Sequence, residues 1–215
     1  MAIVNLRNVE AAADTMSAVH ALGRRCVAYQ ANVGKPDECA DVVRRVAAEC
    51  GALTGLVHAA GLGALSPALA TRPARWQIAW DSHLGGLLAL ASAAQPIFAD
   101  TAGIVAFSSL GAWRVMPGYA AIAAAKGALE SAVRYLAAEF APRVTVNCIR
   151  GGPVDTDSLR SFAFFADIDA ESRRRPPGRL GRPEDIAPVA VYLLGPGARW
   201  ITGQVITADG GFSLH

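Results

Sequence analysis

The stretch "GIVAFSSLGAWRVMPGYAAIAAAKGALESAVRYLAAE" (103–139) decides the fold. Residues 103–109 form a short apolar run of the kind that makes a strand covered on both faces. Beyond a loop carrying Gly111 and Pro117, residues 118–139 read as an Ala-rich helix. The same alternation continues outward. Segments 2–6, 25–30, 53–61, 143–149 and 203–211 read as strands, and 8–23, 36–50, 72–98 and 183–194 as helical. Pro36, Asp37 and Glu38 suit a first helical turn, where the ring fits and carboxylates meet the positive end of the dipole. Strands separated by helices pair in parallel through right-handed crossovers. The expectation is an α/β fold with a doubly wound parallel sheet, one domain over 1–215, and an irregular substrate lobe at about 156–182. Ligands of such sheets sit outside the carboxyl ends of the strands.

Composition excludes more than it identifies. The chain of 215 residues is 53% hydrophobic and 18% charged, with a net charge of +2. No basic stripe interleaved with aromatics is present, which argues against nucleic acid. Cys26, Cys39, Cys50 and Cys148 form no C-x-x-C pair, so no metal site is expected and the thiols read as small core groups. No apolar run reaches the length of a membrane span. A cytoplasmic protein without a membrane partner is the expectation.

Tyr119 and Lys126 are seven positions apart. Seven residues turn a helix through about 700°, so the two would lie within about 20° of one face. An ammonium beside a phenol favours the phenolate and makes the hydroxyl a better proton donor at neutral pH. Alone, this pair is as compatible with a packed Tyr and a solvated Lys.

Its setting, "AFSSLGAWRVMPGYAAIAAAKGALE" (106–130), resembles the short-chain dehydrogenase/reductase family, Rossmann-type enzymes that use NADH or NADPH. "NLRN" (5–8), "QANVGKP" (30–36), "HAAG" (58–61), "PPGRLGRPEDIA" (176–187) and "ITGQVITADGG" (201–211) resemble further family stretches in the right order. Most members carry Tyr-x-x-x-Lys, whereas Ile122 stands four before Lys126 here and Tyr119 gives Tyr-x6-Lys. That spacing, the "SSLG" run and "RGGPVDTD" (150–157) resemble enoyl-acyl-carrier-protein reductase III.

The resemblance implies hydride transfer from NADPH or NADH to a 2-enoyl thioester of fatty acid or polyketide-type metabolism. It implies Tyr119 at the enolate oxygen, Lys126 on the cofactor ribose, and Ser109 (or Ser108) on the substrate side. It further implies cofactor contacts from Arg7, Asn32, Val33, Ala60, Gly61, Gly152, Val154 and Thr156, with Arg7 meeting an adenosine 2′-phosphate. Implied partners are a small-molecule or acyl-carrier-bound substrate and a second copy of the chain, as homodimer or homotetramer.

Some positions depart from the family. His83 falls where most relatives have an asparagine, and reads either as a tolerated polar replacement or as a recruited acid/base. Asp81 could orient it only in an irregular helix. His58 reads as packed or cofactor-facing. The basic run 171–179 reads as solvated surface or as a dock for an acidic carrier protein. "FAFF" (162–165) reads as lid or core packing or as the wall of an acyl channel, and Trp76, Trp80 and Trp113 as packing residues. The chain opens on the family's second strand, without the first strand and glycine-rich turn that hold the pyrophosphate. The sheet is therefore expected to close up, swap a strand, or receive one from elsewhere. The alternative reading is a member without hydride transfer, serving as a cofactor-independent proton-transfer enzyme or an inactive partner subunit.

Overall fold

The computed structural model describes residues 1–176 and 178–214. Six strands are present: β1 (Ala2–Asn5), β2 (Val27–Gln30), β3 (Leu53–His58), β4 (Phe98–Ser109), β5 (Thr145–Gly151) and β6 (Val205–Ala208). The helices are α1 (Val9–Ala21), α2 (Pro36–Cys50), α3 (Pro73–Trp80), α4 (Gly86–Ala94), α5 (Ala120–Phe140), α6 (Asp157–Arg160), α7 (Phe165–Arg174) and α8 (Pro183–Leu194). Every recorded strand pair is parallel.

Pairing divides the strands into β1-β2 and β3-β4-β5-β6. The sheet does not close up, since among the described residues no ladder joins β1 to β3. The two parts are tied instead by α2. Val42 and Val46 on its inner face pack with Tyr29 of β2, and Val4 of β1 and Leu53 of β3 lie against the same cluster. Cys39 and Val43 of α2 join Leu87 and Leu90 of α4 in the main core.

Helix α5 covers β4 and β5 because its buried residues recur at helical spacing: Ala121, Ala125, Leu129, Val133 and Leu136. Ile104, Val146 and Leu129 are fully buried in this layer. On the opposite face, α8 sets Ala190 and Leu193 against Val105 and Ile149. Helices on both faces explain why β4 reads as an apolar run rather than an alternating one.

The helical region 72–98 comes in two pieces, α3 and α4, joined by a π turn at Asp81–Gly85, and Phe98 already belongs to β4. Two local expectations change. The lobe at 156–182 contains α6 and α7, the first capped by the Thr156 side chain accepting from the Leu159 amide at 3.2 Å. Tyr119 is the cap residue before α5 rather than part of it, because Gly118 turns the chain there with φ +69°. Among the cysteines, Cys26, Cys39 and Cys148 are buried but Cys50 is exposed. Trp80 and Trp113 are also largely exposed, not packed.

Candidate active site

The carboxyl ends of β4 and β5 open onto a cleft of about 660 Å³, roofed by the 156–176 lobe. Tyr119 stands in its wall with Ser109, Gly152, Val154 and Thr156. Leu110, Val115, Met116, Leu159, Phe162 and Ile168 make most of the remaining wall apolar. The Phe162 ring meets Tyr119 edge-on, with centroids 6.2 Å apart, and Phe162 and Phe164 of "FAFF" line the cleft.

Ser109 ends β4 and accepts from the Gly111 amide at 3.2 Å, which fixes the turn leading to Tyr119. Burial raises the Tyr119 phenol above its ordinary pKa, and a hydrogen bond with Ser109 opposes this. The phenol therefore stays protonated at neutral pH. Ser108 also borders the cleft, but its hydroxyl is committed elsewhere, donating to Glu130 Oε1 at 2.7 Å. Arg150 grips the same carboxylate through Nε at 2.9 Å and Nη2 at 2.6 Å, and its guanidinium lies 5.7 Å from the Trp113 ring. Sequence reasoning missed this buried triad, whose members come from three elements.

Lys126 does not share the cleft wall with Tyr119. Its side chain is buried and its ammonium donates to the Phe107 carbonyl at 2.5 Å. Burial lowers its pKa to about 8. Around it lie two further buried groups. His58 donates through Nε2 to the His83 carbonyl at 2.8 Å, and Nδ1 of each ring has no hydrogen-bond partner among the described residues. Burial, with the nearby Lys126 charge, lowers His58 to about 4 and His83 to about 3. Both rings are neutral at physiological pH.

The π turn places His83 here. Ser82 draws the loop in, donating to Ile78 at 2.8 Å and accepting from the Leu62 amide at 2.9 Å, and the widened helix turns the imidazole toward β3. The ring fits because Gly61 is bare: a Cβ there would stand 1.9 Å from His83 Cε1. Asp81 is not its orienting partner, since its carboxylate accepts from Gln77 Nε2 at 2.6 Å.

The remaining sites named from sequence lie at the strand ends but outside the cleft wall. Arg7 is exposed beyond β1. Asn32 accepts from the Gly34 amide at 3.0 Å, shaping the turn after β2, and Val33 packs against the main core. Ala60 and Gly61 follow β3, next to Ala59, which does line the cleft. In the basic run, Arg173, Arg175 and Arg179 are held by Asp169, Glu171 and Asp185. Among the described residues there is no cluster of metal-ligating side chains and no helix long and apolar enough to cross a membrane.

Residues 1–213 match the family model described as Enoyl-(Acyl carrier protein) reductase. A curated relative, 1-cyclohexenylcarbonyl-CoA reductase of Streptomyces collinus, is 33% identical over 99% of this chain and 78% of its own. A short-chain dehydrogenase of Burkholderia cenocepacia solved with NADP superposes with a TM-score of 0.91 at 30% identity, covering 98% of this chain and 86% of that one. A short-chain dehydrogenase/reductase of Serratia marcescens gives a TM-score of 0.91 at 29% identity over 99% and 86%.

The strand ends suit the nicotinamide end of a cofactor. Gly151 lines the cleft, and a Cβ there would meet no atom within 4 Å, so bare backbone leaves a space that a side chain would fill. Asn5 Nδ2 at the end of β1 and His58 Nδ1 at the end of β3 are buried polar atoms without hydrogen-bond partners among the described residues. Gly151, Gly152 and Thr156 would hold the nicotinamide, with Arg7 and Asn32 toward the adenosine.

Proposed function

The chain belongs to the short-chain dehydrogenase/reductase family, and on that premise we propose that it is an NAD(P)H-dependent reductase of enoyl thioesters. One observation carries this reading: a protonated phenol, Tyr119, stands in a largely apolar cleft at the carboxyl ends of the strands. The relative named for reducing 1-cyclohexenylcarbonyl-CoA supports the substrate class.

A bound nicotinamide cofactor supplies the hydride. Tyr119 receives the thioester oxygen, hydrogen-bonds to the charge that develops on it, and donates its proton there. The raised phenol pKa suits a donor and not a standing phenolate. Ser109 fixes the turn that seats the ring. Phe162 and its neighbours in the lobe exclude water and take the acyl chain. Lys126 and His83 act from behind the strand ends, as a buried polar base under the site. Assembly with a second copy through α4 and α5 fits the exposed Trp80 and Leu88 on that side.

The second reading, a cofactor-independent or inactive member, draws on one fact: the Lys126 ammonium is committed to the Phe107 carbonyl. A direct test separates the two. Isothermal titration with NADPH and NADH should give saturable binding, and reduced-cofactor absorbance should fall when a 2-enoyl-CoA is added. A folded protein that ignores both cofactors sinks the reductase reading.

A further inference from the structure

Two ionic side chains line the cleft, and they differ in kind. Glu171 is paired with Arg175 at 2.6 Å. Arg114, in the loop between β4 and α5, has no carboxylate partner among the described residues. Its Nη1 is shielded from solvent yet makes no hydrogen bond among the described residues, and its guanidinium lies 6.0 Å from the Trp113 ring. A buried guanidinium nitrogen left unmatched is costly, and a planar fork of donors suits an anionic oxygen pair. Val115, Met116 and Leu159 line the same cleft and offer no acceptor side chain.

We propose that Arg114 is the anion-recognition residue of the cleft, binding a carboxylate or phosphate oxygen on an otherwise apolar ligand. The inference rests on reading this cleft as the substrate site. A carboxylate would lie on the acyl part of the substrate, and a phosphate on its pantetheine arm. Both sources share the same chemistry at the guanidinium.

Calorimetric titration of the full chain with two matched pairs tests it: hexanoate against hexanamide, and 4′-phosphopantetheine against pantetheine. In at least one pair the anion should bind about 10- to 100-fold more tightly, the range for a charge-assisted hydrogen bond. Arg114→Gln should bring that ratio to about one, and Arg114→Lys should restore part of it. Preference in the first pair assigns the anion to the acyl end, and in the second to the carrier arm. Equal binding within both pairs by the wild type overturns the proposal, as does a ratio that survives Arg114→Gln.

If Arg114→Gln does not fold, phenylglyoxal labelling of the wild type, located by peptide mass spectrometry, replaces it. The preferred anion must protect Arg114, and labelling indifferent to that anion counts against the proposal. Anion preference without thioester turnover keeps Arg114 and removes the reductase reading. Turnover without anion preference does the reverse.

Discussion

A Cβ on Gly111 would lie 2.5 Å from Cδ1 of Tyr119, so the phenol ring rests against bare backbone in the turn that follows β4. The position of the proposed proton donor is thus set by an absent methyl group. Gly111→Ala should push the ring out of place and lower kcat about 10- to 100-fold, since an ångström of misplacement is costly to catalysis. Circular dichroism should be unchanged and cofactor affinity nearly so. Wild-type kcat in this variant would contradict the geometry.

The buried imidazoles predict acid sensitivity. His58 and His83 titrate at about 4 and about 3 in the folded protein, against an ordinary value of 6.5. As pH falls below 6.5 the unfolded chain takes up protons first, so stability declines from there to about 4 for His58 and about 3 for His83. Each ring contributes a loss of about 2 to 4 kcal/mol over that range. His83→Asn should remove one share, visible as a shallower fall in urea-unfolding free energy between about pH 6.5 and 4.

Lys126 predicts a change of the same sign at alkaline pH. Its folded pKa of about 8 lies below the ordinary 10.5, so between these values the unfolded chain holds more protons and stability rises with pH. Lys126→Met should abolish that rise and should be more stable than wild type near neutrality by about 3 kcal/mol. Denaturation at about pH 7.5 and about pH 10 checks both statements. A pH-independent wild type would mean that the ammonium is better solvated than its burial implies.

Glu130 ties together Ser108 and Arg150. Glu130→Ala should cost about 3 kcal/mol, because it strands a largely buried guanidinium and a buried hydroxyl at once. The double variant Glu130→Ala with Arg150→Met should recover part of the loss, measured by chemical denaturation.

Most of the architecture was legible in the sequence because it rests on local patterns. The apolar runs of β4 and β5 and the 3.6-residue spacing of α5 each state which face is buried. The helices of the lobe were not legible: α6 has only four residues, and α7 is polar apart from the few side chains it turns to the cleft. Tyr119 and Lys126 were expected to converge on one ligand from a shared helical face. Instead Tyr119 caps α5, because Gly118 turns the chain just before it, and the buried Lys126 ammonium is held by the Phe107 carbonyl of β4. The π turn under His83 depends on Ser82 meeting Leu62, a contact between segments 20 residues apart that no local pattern announces. Arg114 becomes conspicuous only in the folded cleft, where its unmatched Nη1 can be seen.

The account depends most on Tyr119 as the donor to the substrate oxygen, and one comparison reaches it directly: reduced-cofactor consumption with a 2-enoyl thioester by wild type and by Tyr119→Phe. The variant should bind cofactor as wild type does and lose about 100-fold or more in kcat. Equal turnover by the two proteins would remove Tyr119 from the chemistry, and with it the reason to place the reaction in this cleft.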